Sequence, residues 1–192
     1  MRLLRVRRNS NFRTSRSNYY LYKYLSFAAA ILISYLYGFV QDFIITPDNS
    51  QINGKAMVHD GDTVRVDNKK IRLYGIDAPE LKQKCYANKM KVSCGEEARD
   101  NLIKIINGNN LFCSDLDTDK YGRTDGNCYF IDENYKKVNI GQKLVSGGYA
   151  LAYQTYSLRF VVNELYAKST MSGIWKYQFQ KPWNWRKSNK RK

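Results

Sequence analysis

Thr63-Val64-Arg65-Val66-Asp67-Asn68-Lys69-Lys70-Ile71-Arg72-Leu73-Tyr74 sets two β-type runs on either side of an Asp-Asn turn, the pattern of adjacent antiparallel strands. Lys55-Ala56-Met57-Val58 is a third run, joined through Asp60-Gly61, so the segment predicts a three-strand meander. Further runs through Leu111 to Leu116 and Cys128 to Ile131 raise the expected strand count to five. A helix is expected between Ser93 and Gly108, with Ser93 and Glu96 in capping-box spacing and Ala98, Leu102, Ile105 and Ile106 on one apolar stripe. A short helix is expected over Asn139 to Ser146, stopping at Gly147-Gly148. Another is expected from about Ser157 to Ser172, with Val161, Leu165 and Lys168 in line. Five strands with about three helices predict an α+β fold built on an OB-type five-stranded β-barrel.

The 192 residues suit one domain with appendages, and 43% hydrophobic content supports a packed core. The formal net charge of +15 resembles a nucleic-acid signature, but it is unevenly spread. Residues 1–24 carry seven Lys/Arg and no acid, and residues 181–192 carry six and no acid, leaving a nearly neutral middle. The charge excess therefore belongs to the ends.

Between Lys23 and Asp42 no residue is charged, and Phe27-Ala28-Ala29-Ala30-Ile31-Leu32-Ile33 forms an apolar centre. The stretch 24–41 approaches the ~20 residues a bilayer requires. Tyrosines at 19, 20, 22, 24, 35 and 37 cluster toward its ends, and the arginine-rich side precedes it, so the positive-inside rule puts the N-terminus in the cytoplasm. The resulting organisation is a basic cytoplasmic N-terminus (1–23), a transmembrane anchor or signal segment (24–41), a linker (42–53), a folded domain (54–178) and a basic tail (179–192). Ser34 to Gly38 lacks a small-x-small cleavage site, which favours a retained anchor over secretion. The expected location is a single-pass membrane protein with its domain outside. Cys85 with Cys94 and Cys113 with Cys128 form two sequence-local pairs, as an oxidising compartment permits. One histidine, His59, and no Cys-x-x-Cys spacing argue against zinc.

Asp60-Gly61-Asp62-Thr63 and Ile76-Asp77-Ala78-Pro79-Glu80 deliver four carboxylates on two strand-and-turn segments, with Arg72 between them. Oxygen ligands suit Ca²⁺ or Mg²⁺, and a guanidinium can pair two-pronged with a phosphoryl group. Pro79 biases Ala78 toward extended backbone. The residues support a Ca²⁺ site of Asp62, Asp77 and the Ala78 carbonyl. Arg72, among apolar neighbours, needs an anionic partner. Asp119-Lys120-Tyr121-Gly122-Arg123-Thr124 adds a second arginine in a turn. Glu80 is the candidate general base, or a residue that orients the attacking water. Tyr121, Tyr153 and Tyr156 could stack on bases or pack in the core.

With Gly173-Ile174-Trp175 and Pro182-Trp183-Asn184-Trp185-Arg186 following in order, the chain from about Gly54 to Arg186 resembles the thermonuclease (staphylococcal nuclease) family. The resemblance implies an OB-fold enzyme that uses Ca²⁺ to hydrolyse phosphodiester bonds of DNA and RNA. It implies Asp62, Asp77 and the Ala78 carbonyl as metal ligands, with Asp60 behind them. Arg72, Glu80 and Arg123 become the catalytic set, with Lys120 and Tyr121 on the substrate side. Ala78 stands where the best-known member has threonine, and the cysteine-bearing stretches depart from it. The rival reading is a non-catalytic OB module that binds nucleic acid at the cell surface.

Overall fold

The structure, a computed structural model, describes residues 16–44, 52–118 and 124–189. Its centre is the expected meander: β1 (Ile52–Val58), β2 (Thr63–Val66) and β3 (Lys69–Leu73) pair antiparallel in succession. Asp67 and Asn68 both take positive φ between β2 and β3, the backbone that a two-residue hairpin needs and that Asp and Asn tolerate. β7 (Asn110–Thr118) pairs with β1, and β8 (Thr124–Ile131) pairs with β7. β8 then runs parallel to β3 over Thr124–Gly126 and Ile71–Leu73, closing a five-stranded barrel in the order β1-β2-β3-β8-β7. Alternation puts Val64, Val66, Ile71, Leu73 and Leu111 inside, where all five are buried. β9 (Lys137–Asn139) extends the sheet beyond β8.

The helices cover the barrel. α2 (Cys94–Ile106) buries Ala98, Leu102 and Ile106, as its stripe predicts. Ser93 stands at its N-cap, but its side chain makes no capping bond; the hydroxyl accepts instead from Lys84 Nζ at 2.7 Å. The helix ends on Asn107 in the left-handed conformation, one residue before the expected Gly108. α3 (Ile140–Ser146) is capped by the Asn139 side chain, which accepts from the Gln142 N–H at 2.9 Å. α4 (Val161–Ser169) is shorter and differently phased than its pattern suggests: Glu164 and Ala167 are its buried residues, and Leu165 is exposed. Lys168 Nζ covers the buried Glu164 carboxylate at 3.3 Å.

Among the described residues one α-helix adds to the three expected in the domain and the one expected before it. The segment read as membrane-spanning lies in α1 (Arg16–Ile44), whose described side chains between 22 and 37 are almost all exposed. Among the described residues no helix is long and apolar enough to cross a membrane, and the side chains of 38–44 lie outside them. The stretch read as a basic tail from residue 179 contains α5 (Pro182–Ser188), with proline in its first turn.

Between barrel and α5 runs a strap. Tyr86 in β5 (Cys85–Ala87) exchanges backbone hydrogen bonds with Gln178, both at 2.9 Å. β5 also pairs with β6 (Met90–Val92). Under the strap lies a second core of Cys85, Cys94, Leu151 and Ile174, lined by Trp175, Tyr177, Phe179 and Trp183. The expected disulfides are both formed, Cys85 to Cys94 at the start of α2 and Cys113 to Cys128 across β7 and β8.

Candidate active site

Three strand segments converge on one charged cluster. Asp62 ends the turn before β2, Arg72 sits in β3 opposite Thr63, and Asp77 ends β4 (Ile76–Asp77). β4 is held by β10 (Leu151–Ala152), with Asp77 opposite Leu151. The turn of Asp60 to Thr63 is locked locally: the Asp62 N–H donates to Asp60 Oδ1 at 3.1 Å, and Thr63 Oγ1 donates to Asp62 Oδ1 at 3.0 Å. Gly61 permits the two acidic segments to meet, because a Cβ there would stand 2.7 Å from that of Ala78. The Ala78 N–H then donates to Asp62 Oδ2 at 3.1 Å.

Arg72 joins the two aspartates. Its Nη1 donates to Asp62 Oδ1 at 3.1 Å, and its Nη2 reaches Asp77 Oδ1 at 2.6 Å and Asp62 Oδ2 at 3.0 Å. The anionic partner that an arginine among apolar neighbours requires is thus an aspartate pair. Asp77 is 0% exposed, so its charge must be compensated inside the protein. Arg186 of α5 completes that compensation: Nη1 donates to Asp77 Oδ1 and Nη2 to Asp77 Oδ2, both at 2.9 Å. The same Nη1 donates to Glu80 Oε1 at 2.8 Å.

Burial pushes the carboxyl groups of Asp62 and Asp77 up, against the pull of the neighbouring guanidinium groups. Burial alone would push Arg72 and Arg186 down; the carboxylates overcome it and hold both above the ordinary arginine value. Either arginine therefore stays charged in the site.

The Glu80 turn is fixed from two sides. Gln83, fully buried, accepts from the Glu80 N–H through Oε1 at 3.2 Å and donates through Nε2 to the Gln180 carbonyl at 2.6 Å. At the start of α2, a Cβ on Gly95 would stand 1.8 Å from the Glu80 carbonyl oxygen, so only glycine lets the helix approach. The Cys85–Cys94 bridge braces the same corner.

Of the sequence candidates, Asp60, Asp62, Arg72, Asp77, Ala78 and Glu80 are brought together. Tyr153 and Tyr156 lie beside them: the Tyr153 N–H donates to the Gly75 carbonyl at 2.9 Å, just before β4. Their rings stand 5.0 Å apart, and Tyr153 meets Trp183 of α5 at 5.4 Å. Lys120, Tyr121 and Arg123 lie outside the described residues. Arg186 is the site residue that sequence reasoning missed. Its signal was a proline and two tryptophans inside an otherwise basic run, Pro182-Trp183-Asn184-Trp185-Arg186, which marks a packed helix rather than a solvated tail.

Among the described residues no three acidic, histidine or cysteine side chains gather as a metal-holding group. Asp62 and Asp77 nonetheless offer the oxygen-only donors that hard cations take. As arranged, their oxygens face Arg72 and Arg186, so the donor chemistry fits a cation while guanidinium groups hold the place.

Residues 70–177 match the family described as staphylococcal nuclease homologue. The chain is 32% identical over 124 residues to a probable staphylococcal-like nuclease, CAN3, of Oryza sativa subsp. japonica, covering 63% of this chain and 29% of that protein. It thus spans less than a third of the length of that rice relative. It is also 32% identical over 147 residues to an uncharacterized endonuclease of Escherichia coli O157:H7, covering 71% of this chain and 86% of that one. A succinoglycan biosynthesis protein, ExoI, of Rhizobium meliloti (strain 1021) is 29% identical over 130 residues, 66% of each chain.

Proposed function

Because the chain belongs to the staphylococcal nuclease family, we propose that its charged cluster hydrolyses phosphodiester bonds of DNA or RNA. The observation that carries the reading is the convergence of Asp62, Asp77 and Glu80 on the guanidinium groups of Arg72 and Arg186 at one end of an OB-type barrel. Carboxylates there can hold a cation and take a proton, and arginines can face a phosphoryl group.

Glu80, about a third exposed at its side chain, would accept the proton of the attacking water or orient that water. Arg72 is already charged beside the two aspartates; released from them toward a bound phosphoryl group, it would meet negative charge that grows on oxygen, a contribution that can be worth several kcal/mol. Arg123 would be its companion. Asp62, Asp77 and the Ala78 carbonyl would hold calcium, which when bound supplies Lewis-acid polarisation of the phosphate. Tyr153 and Tyr156 would offer ring faces to bases, and Lys120 and Tyr121 would add contacts on the substrate side.

The same reading places the enzyme outside the cytoplasm, tethered through residues 24–41. What supports this is the exposed apolar run Leu25, Phe27, Ile31, Leu32 and Ile33 on α1, which water alone does not favour, together with two disulfides.

The test is a cleavage assay on single- and double-stranded DNA and on RNA, with calcium and then with excess chelator. Cleavage that stops on chelation and returns with calcium is expected; full activity in chelator sinks the cation dependence, and binding without cleavage favours the non-catalytic OB module.

A further inference from the structure

We propose that Arg186 is a positioning residue for Glu80, delivered to the active site by α5 from 106 residues further along the chain. The inference rests on reading the cluster as a phosphodiester-hydrolysing site and adds a residue that the acidic segments do not contain.

Glu80 stands in a turn, partly exposed, on a side chain with three rotatable bonds. Such a carboxylate loses considerable rotamer freedom when it is held in one place. Arg186 Nη1 holds it at 2.8 Å while also donating to Asp77 Oδ1, and Nη2 grips Asp77 Oδ2. The planar guanidinium is therefore oriented by a fully buried aspartate whose strand is fixed by β10. Orientation passes from strand to Asp77, from Asp77 to Arg186, and from Arg186 to Glu80. A lysine, with a point charge and no planar fork, would keep the charge and lose most of the direction.

The strap is built to deliver this contact. Gln83 joins the Glu80 N–H to the Gln180 carbonyl, two residues before α5. Trp183 seats α5 against Tyr153. Backbone and side chain of Glu80 are thus tied to the same C-terminal element by separate bonds. If Arg186 served only to neutralise Asp77, its contact with Glu80 would have no effect on turnover. A misplacement of about 1 Å at a reacting group can cost on the order of 10²-fold in rate, which sets the scale of the expected effect.

The experiment uses the full chain, a DNA oligonucleotide and calcium, with Arg186→Gln, Arg186→Lys, Glu80→Gln and the double variants. Arg186→Gln should lower kcat about 10- to 100-fold with KM within about threefold, and Arg186→Lys should recover part of the loss. In the Glu80→Gln background, adding Arg186→Gln should lower kcat little further, because the residue acts through Glu80. Additive losses, an unchanged kcat, or a rise in KM alone would overturn the proposal. If Arg186→Gln does not fold, as thermal unfolding would reveal, Arg186→Lys with Glu80→Gln forms the same cycle with the charge beside Asp77 kept. A wild-type chain that cleaves nothing would remove the nuclease reading and this inference with it; an active chain with additive losses removes this inference alone.

Discussion

Asp62 and Arg72 enter the site from the strand meander, Arg72 by ladder register and Asp62 on the turn just before β2, and Asp77 enters on β4 through its pairing with β10, whereas Arg186 arrives on a seven-residue helix held by side chains and one short bridge. In the first case, neighbouring strand positions fix where each charge stands, and one hairpin turn fixes the strands. In the second, Gln83, the Tyr86–Gln178 bridge, Trp183 and Arg186's own ion pairs do the placing. The barrel half is built so that the charged groups depend on the fold. In the strap half the dependence runs partly the other way, since Arg186 helps to keep α5 where it is.

The largest expected effect lies in the barrel half. Arg72→Gln removes the group that Asp62 and Asp77 share and leaves Asp62 buried without its guanidinium. Breaking a buried ion pair from one side costs about 3–5 kcal/mol, and losing a preorganised charge at the phosphoryl group costs on the order of 10²–10³ in turnover. Denaturant midpoints and single-turnover rates measured together should both fall. The comparison breaks if Arg186→Gln, whose side chain is 34% exposed, costs as much stability as Arg72→Gln.

A middle-sized effect sits at the joint between the halves. Gln83→Leu keeps the volume of a fully buried side chain but strands the Glu80 N–H and the Gln180 carbonyl. Because Gln180 is exposed and Glu80 half-buried, water takes over part of the lost bonding, so the cost is about 1 kcal/mol, the low end for groups left without a partner, and the rate should fall because both ties on Glu80 loosen. Urea unfolding with an initial-rate assay checks it. An unchanged midpoint would mean that the strap is held without Gln83.

The same contrast explains what could be read from the residues. The meander, the barrel's five strands, both disulfides and the meeting of Asp62, Arg72 and Asp77 follow from period-two alternation, turn residues and short spacings, which are local. Arg186 did not follow, because it meets Asp77 109 positions away and its neighbours Lys187 and Lys190 make it look like part of a solvated charge run. α4 was misphased for a related reason. Its buried face includes Glu164, which Lys168 covers, and apolar periodicity cannot anticipate a shielded carboxylate. Helix α5 was hidden by its charge, although Pro182 and the tryptophans marked it.

The smallest expected effect tests where a local pattern was present but unused. Ser93 and Glu96 have capping-box spacing, and a working Ser N-cap is worth about 1 kcal/mol when replaced by alanine. Here the Ser93 side chain caps nothing. The approach of α2 to the Glu80 carbonyl at Gly95, and the Cys85–Cys94 bridge, already fix the helix start, while the hydroxyl accepts from an exposed lysine, Lys84. Ser93→Ala should therefore shift the unfolding free energy by less than about 0.5 kcal/mol, the range of surface substitutions without a special role, and leave turnover unchanged. A loss near the full capping value would show that Ser93 closes the first turn of α2 in solution, and that local helix chemistry, besides the disulfide and the glycine contact, holds the corner on which Glu80 stands.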